Sequence, residues 1–317
     1  MTCQPAPISD DLNTLPKLPS WVTSARAETL ETVAFRSGAA LTVLDQLVSD
    51  PRHGVPARLL ANRLALSAAT AASKLEGRLA RKADIRDAYH LTPPGEARGP
   101  DGDLLAFWRE VVRVRTSGLG EIADLVGAEF AGEVGIWLDV GLEQARTRGP
   151  LAGCSAVLRA VLETDDRAER VACLLSDVVL ASTLNWKTVL PVSAQRLAKA
   201  ALLNLTEERR GAELAVQVRI LESIEVTVRL ARDHACRAEA LRTVAPKLRA
   251  KGSEAAVDLF MTEDTVVPAS MLSPRIRGTS IPMTSRAARR FCDRLVELGV
   301  ARELTGRSTF RLYGIAS

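Results

Sequence analysis

The sequence predicts a mainly α-helical protein, a multi-helix bundle with a C-terminal winged helix-turn-helix. Aromatic residues make up only 4% of the 317 residues, while Ala, Leu, Arg and Glu are abundant, a composition that favours helices over sheets. Apolar residues recur at three- and four-residue spacing along most of the chain, as in amphipathic helices. Arginine becomes frequent towards the C-terminal end, where the winged helix is expected.

The first predicted helices are separated by breaks rich in Pro and Gly. One runs from Glu28 to Val48, and the next begins near Pro56 and includes the Ala-rich stretch 68–72. The segment 92–102 concentrates Pro and Gly and is predicted to be a loop or hinge. Further helical patterns span Leu104 to Val114, Leu119 to Phe130, Val134 to Ala145, Ala152 to Leu162, and Ala168 to Leu184.

Thr206, followed by two glutamates, predicts the start of a long helix, because a Thr cap and early acids suit the positive end of the helix dipole. The apolar residues of this helix keep a heptad-like spacing: Leu214, Val218, Leu221, Ile224, Val228 and Ala231. The helix therefore either crosses the core of a bundle or forms a coiled-coil dimer seam, and the short repeat favours the core. Pro246 and Gly252 then indicate a boundary.

These patterns divide the chain into a flexible Pro-rich tail over residues 1–20, an α-helical domain over 21–250 and a winged-helix domain over 251–317. No apolar run approaches the roughly 20 residues that a membrane span requires, and the first residues lack the pattern of a secretory signal. The five scattered cysteines fit reduced thiols. We therefore expect a cytoplasmic protein without membrane contact.

Positive charge is concentrated in the last part of the chain. Residues 271–317 contain nine arginines, no lysine and three acids, a net charge of +6 where the whole chain carries +4. Thr284 or Ser285 can cap a helix that Gly299 ends, since glycine readily adopts the left-handed conformation of a helix stop. One face of this helix is apolar: Ala287, Ala288, Phe291, Leu295 and Leu298.

The same helix carries four arginines off its apolar face. Arg286, Arg290 and Arg294 follow at spacings of four residues, with Arg289 beside them. After Gly299, residues 300–304 and 309–313 predict two short strands joined by a tight turn with Arg307 at its tip. This arrangement is typical of a recognition helix in the major groove and a wing on the backbone. The predicted DNA-binding residues are Arg286, Arg289, Arg290, Arg294, Arg307 and Arg311.

Four C-terminal segments resemble, in order and spacing, the winged helix at the C-terminus of many Fic-domain proteins: Thr284 to Ala288, Leu295 to Val300, Arg302 to Arg307, and Arg311 to Tyr313. The resemblance implies a winged helix here. Pro274, Gly278 and Pro282 depart from it, and the helix before the recognition helix is expected to be shortened or replaced by a loop.

Most of the chain also resembles an uncharacterised bacterial family, domain-of-unknown-function family 1403 (DUF1403). The segments that carry the resemblance are Pro19 to Trp21, Phe35 to Leu44, Arg63 to Leu66, Arg86 to Leu91, Pro94 to Gly95, and Arg289 to Tyr313. Membership of that family implies no established activity.

No catalytic motif, metal-ligand spacing or cofactor fingerprint stands out in the sequence. Residues 72–77 are faintly similar to an element of Fic enzymes, but none of the three histidines is followed by the anion loop that Fic chemistry needs. The chain is therefore predicted not to be an enzyme. Trp108, Trp137 and Trp186 are expected to pack in the core, with a ligand pocket as the alternative.

Two hypotheses for function follow from these observations. In the first, the chain is a DNA-binding or regulatory protein whose helical body dimerises or senses something, and its partner is DNA. In the second, the winged helix docks a protein partner, because fold alone does not determine function.

Overall fold

The computed structural model describes residues 15–23, 29–93, 95–248, 252–307 and 309–316, and these residues are mainly helical. Most of the predicted tail lies outside them, as do Cys3, Glu28 and Pro94. The helices of the described residues are α1 (Ser20–Thr23), α2 (Leu30–Ser49), α3 (Ala57–Leu75), α4 (Lys82–Leu91), α5 (Gly99–Val111), α6 (Leu119–Val126), α7 (Val134–Arg148), α8 (Pro150–Thr164), α9 (Glu169–Thr183), α10 (Lys199–Thr206), α11 (Ala212–Val244), α12 (Ser253–Thr262) and α13 (Ser285–Glu297). Two strands follow, β1 (Ala301–Glu303) and β2 (Tyr313–Ile315).

Helices α1 to α11 form the body, whose core is apolar. Helix α2 packs along α11, and α7, α8 and α9 pack against one another. Helices α7 and α8 approach closely because each has a glycine at the contact: a Cβ on Gly153 would lie 2.6 Å from the carbonyl oxygen of Gly141. Trp108 and Trp137 are 0% and 3% exposed, which confirms their predicted packing role.

The long helix begins later than the sequence predicted. Thr206 is the last residue of α10, and its hydroxyl donates to the Leu203 carbonyl at 2.9 Å instead of capping a new helix. Glu208 and Gly211 then adopt left-handed backbone conformations, with φ of 50° and 79°, and α11 starts at Ala212. These two residues turn the chain between α10 and α11, so Thr206 does not act as the predicted helix cap.

Helix α11 packs against α2, α8 and α10 of the same chain. Its predicted apolar residues Leu221, Ile224 and Val228 lie in the core of the body, as the bundle interpretation requires. The predicted loop at 92–102 is shorter than expected, because α5 begins at Gly99 with Pro100 in its first turn. Helix α4, which the apolar pattern did not predict, occupies residues 82–91.

The C-terminal unit, residues 252–316, combines helices with two short strands, whereas the body is built of helices. After α12, Val266 and Tyr313 exchange backbone hydrogen bonds of 2.7 and 2.9 Å. One π-helical turn (Pro268–Leu272) and a bend with a cis Ser273–Pro274 peptide bond lead to α13. No α-helix lies between α12 and α13 in the described residues, so the helix expected before α13 is replaced by this turn.

The hairpin after α13 also differs from the prediction. Strands β1 and β2 are antiparallel, with Arg302 opposite Gly314, and each has three residues. The second strand lies at 313–315 instead of 309–313, so a longer loop replaces the predicted tight turn. Glu303 stabilises the start of this loop, since its carboxylate accepts from the backbone N–H groups of Thr305 and Gly306 at 2.8 Å.

A second apolar core holds the C-terminal unit together and ties it to the body. It contains Phe260 of α12, Phe291 of α13 and Tyr313 of β2, together with Leu59 of α3 and Leu241 of α11. All five side chains are at most 4% exposed. Two helices of the body therefore contribute directly to this core.

A cluster of charged and polar side chains, which we call the junction, lies where the body meets the C-terminal unit. The Arg109 guanidinium pairs with Glu263 at 3.0 Å and with Asp264, whose side chain is fully buried. Asn62 of α3 donates to the Thr262 carbonyl at 2.8 Å. Arg86 of α4 donates to the Leu304 carbonyl at 3.1 Å and pairs with Asp87 at 2.7 Å, and these residues complete the junction.

Electrostatic interactions at the junction favour the charged forms of Arg109 and Asp264. Burial alone would raise the pKa of Asp264, but Arg109, His90 and Arg63 together hold that pKa below its ordinary value. Burial lowers the pKa of His90, which lies among these charges, to about 4. The imidazole of His90 is therefore neutral near pH 7.

Among the described residues, no helix combines the length and the apolar character that a membrane span requires. Within the same residues, no group of His, Cys, Asp or Glu side chains has the arrangement of a metal site. Cys154, Cys173, Cys236 and Cys292 are free thiols.

Candidate nucleic-acid interface

Helix α13 is specified at both ends by its own residues. The Thr284 hydroxyl accepts from the Ala287 N–H at 3.3 Å and caps the start. Gly299, with φ of 72°, ends the helix: its N–H donates to Val296, and the next N–H donates to the Leu295 carbonyl. Both ends thus agree with the sequence prediction.

The apolar face of α13 is also placed as predicted. Ala288, Phe291 and Leu295 are 0%, 4% and 0% exposed and pack in the second core. Ala287 and Leu298 are half-buried at its edges. Anchoring this face fixes which side of the helix points outwards.

The six arginines of the predicted site are all exposed, but the structure divides them into two sets. Arg286, Arg289 and Arg290 make no ion pair with any described residue. The other three each have an acidic partner: Arg294 pairs with Glu297 at 2.8 Å, Arg307 with Asp87 at 3.4 Å, and Arg311 with Asp293 at 3.7 Å. The unpaired set occupies the first half of α13, next to the end at which the helix dipole favours anions.

A basic groove runs along one side of α13. Arg286, Arg290 and Arg294 line it together with Lys247, and the groove has a volume of ≈ 620 Å³. Leu248, Ala287 and Phe291 form its apolar floor. Four cationic side chains therefore line one groove, and the sequence had not singled out Lys247 because it precedes the predicted boundary.

Arg289 lines a separate cavity on another side of the helix. That cavity, of ≈ 460 Å³, lies between α13, the π-helical turn and the hairpin loop, and Asp293, Phe310 and Arg311 also line it. The Tyr313 hydroxyl donates to Asp293 at 3.0 Å. Asp293 is thus occupied by Tyr313 and Arg311, which leaves Arg289 as the cation without a carboxylate partner in this cavity.

Arg307 does not stand free at the tip of the hairpin. Its guanidinium reaches Asp87 of α4, which Arg86 also holds at 2.7 Å. The hairpin loop is therefore attached to the body at the junction. No local sequence pattern predicts this contact, because the two partners are far apart along the chain.

The arrangement can bind a polyanion by charge alone. It offers guanidinium groups on an exposed helix that is fixed by a buried face, and such groups match phosphate oxygens in geometry as well as in charge.

The chain was compared with known protein families. The family described as protein of unknown function (DUF1403) matches residues 6–315. No curated protein matches the chain.

Proposed function

This chain belongs to the DUF1403 family, and we propose that it binds duplex DNA through α13. The observation that carries the proposal is the set of three exposed arginines, Arg286, Arg289 and Arg290, that no acid of the described residues neutralises. Many of the other described arginines pair with an acid, for example Arg146 with Glu143 and Arg237 with Asp233. Unpaired guanidinium groups on one helix are what binding to phosphates requires.

The order of elements supports a winged helix as the DNA-binding fold. Helix α12, the backbone contact of Val266 with Tyr313, the turn at 268–272, α13 and the hairpin follow one another in the order of a winged helix that lacks, in the described residues, the helix before α13. In this proposal the turn takes the place of the first helix of the helix-turn-helix. Helix α13, about 20 Å long, then enters the major groove, which is wide enough for an α-helix.

The arginines of α13 would contact DNA from two different sides of the helix. Arg286, Arg290 and Arg294, with Lys247, face one sugar-phosphate backbone across the basic groove. Arg289 instead lines the separate cavity next to the hairpin loop. The body holds this surface in place through the junction and has no DNA contact of its own in the proposal.

A fluorescence-anisotropy titration with random duplex DNA at low and moderate salt tests the proposal. We expect binding that weakens steeply as salt rises, because phosphate contacts release counterions. The double variant Arg290→Ala/Arg294→Ala should bind about tenfold more weakly, because it loses phosphate contacts, and should keep its fold, because both side chains lie off the apolar face. Unchanged affinity of this variant, or no binding by the wild type, would refute the proposal.

A matched control removes the same charge elsewhere. Arg146 and Arg148 lie on α7, are 72% and 49% exposed at their side chains, and are not in the C-terminal unit. The variant Arg146→Ala/Arg148→Ala changes the net charge by the same amount and should keep wild-type affinity. A loss in this control would show that net charge, and not α13, determines binding.

A second candidate function is the docking of a protein partner, and one observation favours it. Phe310, next to the cavity that Arg289 lines, is 74% exposed. An exposed aromatic beside an arginine is a common centre of protein interfaces. A partner that co-purifies at high salt in the absence of DNA, together with no DNA binding, would support docking over DNA binding.

A further inference from the structure

The largest of the cavities described here lies in the body, away from α13. It has a volume of ≈ 780 Å³ and is bordered by α2, α3, the end of α5 and the segment that follows α9. This volume is within the range of about 300–1,000 Å³ that is typical of small-molecule sites. None of its lining residues belongs to the C-terminal unit.

Trp186 forms part of the wall of this cavity and is held in one orientation. Its indole N–H donates to the Asp45 carboxylate at 2.8 Å, and the residue is only 7% exposed. Asn185, with φ of 55°, ends α9, and the Trp186 N–H donates back to the Ala181 carbonyl at 2.9 Å. A C-terminal helix cap of this kind fixes the backbone of the following residue.

The segment after Trp186 is fastened to the end of α5. The Thr116 N–H donates to the Lys187 carbonyl at 3.1 Å, and the Val189 N–H donates to the Val114 carbonyl at 3.4 Å. These backbone bonds, together with the cap at Asn185, hold this wall of the cavity in a fixed shape. A ligand would therefore meet a preformed site, which lowers the entropic cost of binding.

The cavity is lined by both apolar and charged side chains. Val48, Leu60, Ala61, Val112, Leu184 and Leu190 supply apolar surface beside the Trp186 ring. Arg58, Arg113 and Lys187 are exposed at the rim, against one lining acid, Asp45. Asp45 is engaged by Trp186 and by the Ser49 hydroxyl at 2.8 Å.

Two of these cations have no acid to neutralise them. Arg113 pairs with Glu110 at 2.7 Å, whereas Arg58 and Lys187 make no ion pair with any described residue. Apolar walls favour a ligand with a ring-sized hydrocarbon body, and unpaired cations at the mouth favour a negative group at one end. A purely apolar molecule would leave these cations unused, and a fully hydrophilic anion would leave the apolar walls unfilled.

We infer that this cavity is a binding site for an organic anion with an apolar, ring-containing body that carries a carboxylate or sulfonate. The apolar body lies against Trp186 and Leu60, and the anionic group lies between Arg58 and Lys187. This inference does not depend on DNA binding by α13.

Anilinonaphthalene sulfonate is a suitable probe, because it joins an aromatic body to one sulfonate, and neutral anilinonaphthalene is its matched control. Fluorescence titration of the full chain should show saturable binding at one site, with the neutral compound about tenfold weaker. The double variant Arg58→Gln/Lys187→Gln should weaken binding of the sulfonate about tenfold and leave binding of the neutral compound unchanged. Equal affinity for both compounds would overturn the inference.

A steric variant gives an independent test. Ala57 lines the cavity but is exposed, so Ala57→Trp should fill the mouth without disturbing the core and should abolish binding. Ala215 on α11 is exposed and does not line the cavity, so Ala215→Trp should bind as the wild type does. Binding that survives Ala57→Trp, or that is lost in Arg290→Ala/Arg294→Ala, would place the probe elsewhere and overturn the inference.

Discussion

The arginines of the junction and those of α13 are the same residue type in opposite environments. At the junction the side chain of Arg109 is 4% exposed and has two carboxylate partners. On α13, Arg286, Arg289 and Arg290 are exposed and have no acidic partner among the described residues. Arg109 stabilises the attachment of one part of the molecule to another, and the α13 arginines are free to neutralise an external anion. Burial and pairing, more than arginine content, therefore indicate where a ligand would bind.

Removal of a junction arginine should have the largest effect on stability. Arg109→Met leaves Asp264 buried without its main counter-charge, and we expect a loss of about 3–5 kcal/mol in the free energy of unfolding, measured by urea denaturation. Arg113→Met, four residues later in an exposed pair with Glu110, should change this free energy by less than about 0.5 kcal/mol. Equal effects of the two changes would remove the contrast between buried and exposed arginines.

Truncation of the apolar anchor of α13 should come next. Phe291→Ala removes a ring that is 4% exposed in the second core, at a cost of about 3 kcal/mol, the lower end of the range for such changes, since the ring borders the basic groove. A thermal melt measures the loss. An unchanged melting temperature would mean that α13 does not pack through this face.

The junction should also make stability depend on pH. Burial lowers the pKa of His90 to about 4 from an ordinary value of 6.5, so the unfolded chain takes up a proton at a higher pH than the folded chain does. This contribution is fully present above pH 6.5 and is lost as the pH falls through 6.5 towards 4, about 3 kcal/mol in all.

Comparison of urea denaturation of the wild type and of His90→Gln between neutral pH and pH 4.5 isolates that contribution. His234, with its pKa lowered to about 4 by burial, acts in the same direction, and Asp177, with its pKa raised to about 7 by burial, acts in the opposite one. Both groups are common to the two proteins and cancel in the difference. The wild type should lose more stability than the variant on acidification, and parallel losses would assign no role to His90.

The smallest expected effect is a difference in the salt dependence of DNA binding between variants of paired and unpaired arginines. In titrations at several salt concentrations, Arg290→Gln should reduce the slope of log K against log salt by about 0.9, the loss of one phosphate contact. Arg307→Gln should reduce it by less, because Asp87 already neutralises part of that charge. Equal reductions would show that Arg307 leaves Asp87 when DNA binds.

Local signals in the sequence predicted α13 well. Its cap at Thr284, its stop at Gly299 and its apolar face all depend on residues within one helix, where spacing alone determines which side chains meet. The same reasoning failed at Thr206, because the left-handed residues Glu208 and Gly211 that follow it reverse the chain before α11 begins.

Contacts between distant residues could not be predicted from one sequence. Arg109 and Asp264 are 155 positions apart, and no pattern in either segment names the other as a partner. The wall that Trp186 forms similarly depends on Asp45, 141 positions away. The charged side chains of α13 and the local pair of Arg294 with Glu297 follow from spacing within one helix, whereas the pairing of Arg307 with Asp87 is a property of the tertiary structure.

The pairing of Arg109 with Glu263 and Asp264 also bears on how the protein is made. At a synthesis rate of about 5–20 residues per second, the 154 positions between Arg109 and Glu263 take about 8–30 seconds to translate. During that interval α5 has been synthesised, but the two carboxylates that pair with Arg109 in the folded protein have not. The Arg109 guanidinium must therefore stay hydrated. The contact face formed by α3, α4 and α5 therefore closes only when the last segment of the chain arrives, and a nascent chain stalled before Glu263 should expose this face to proteases and chaperones.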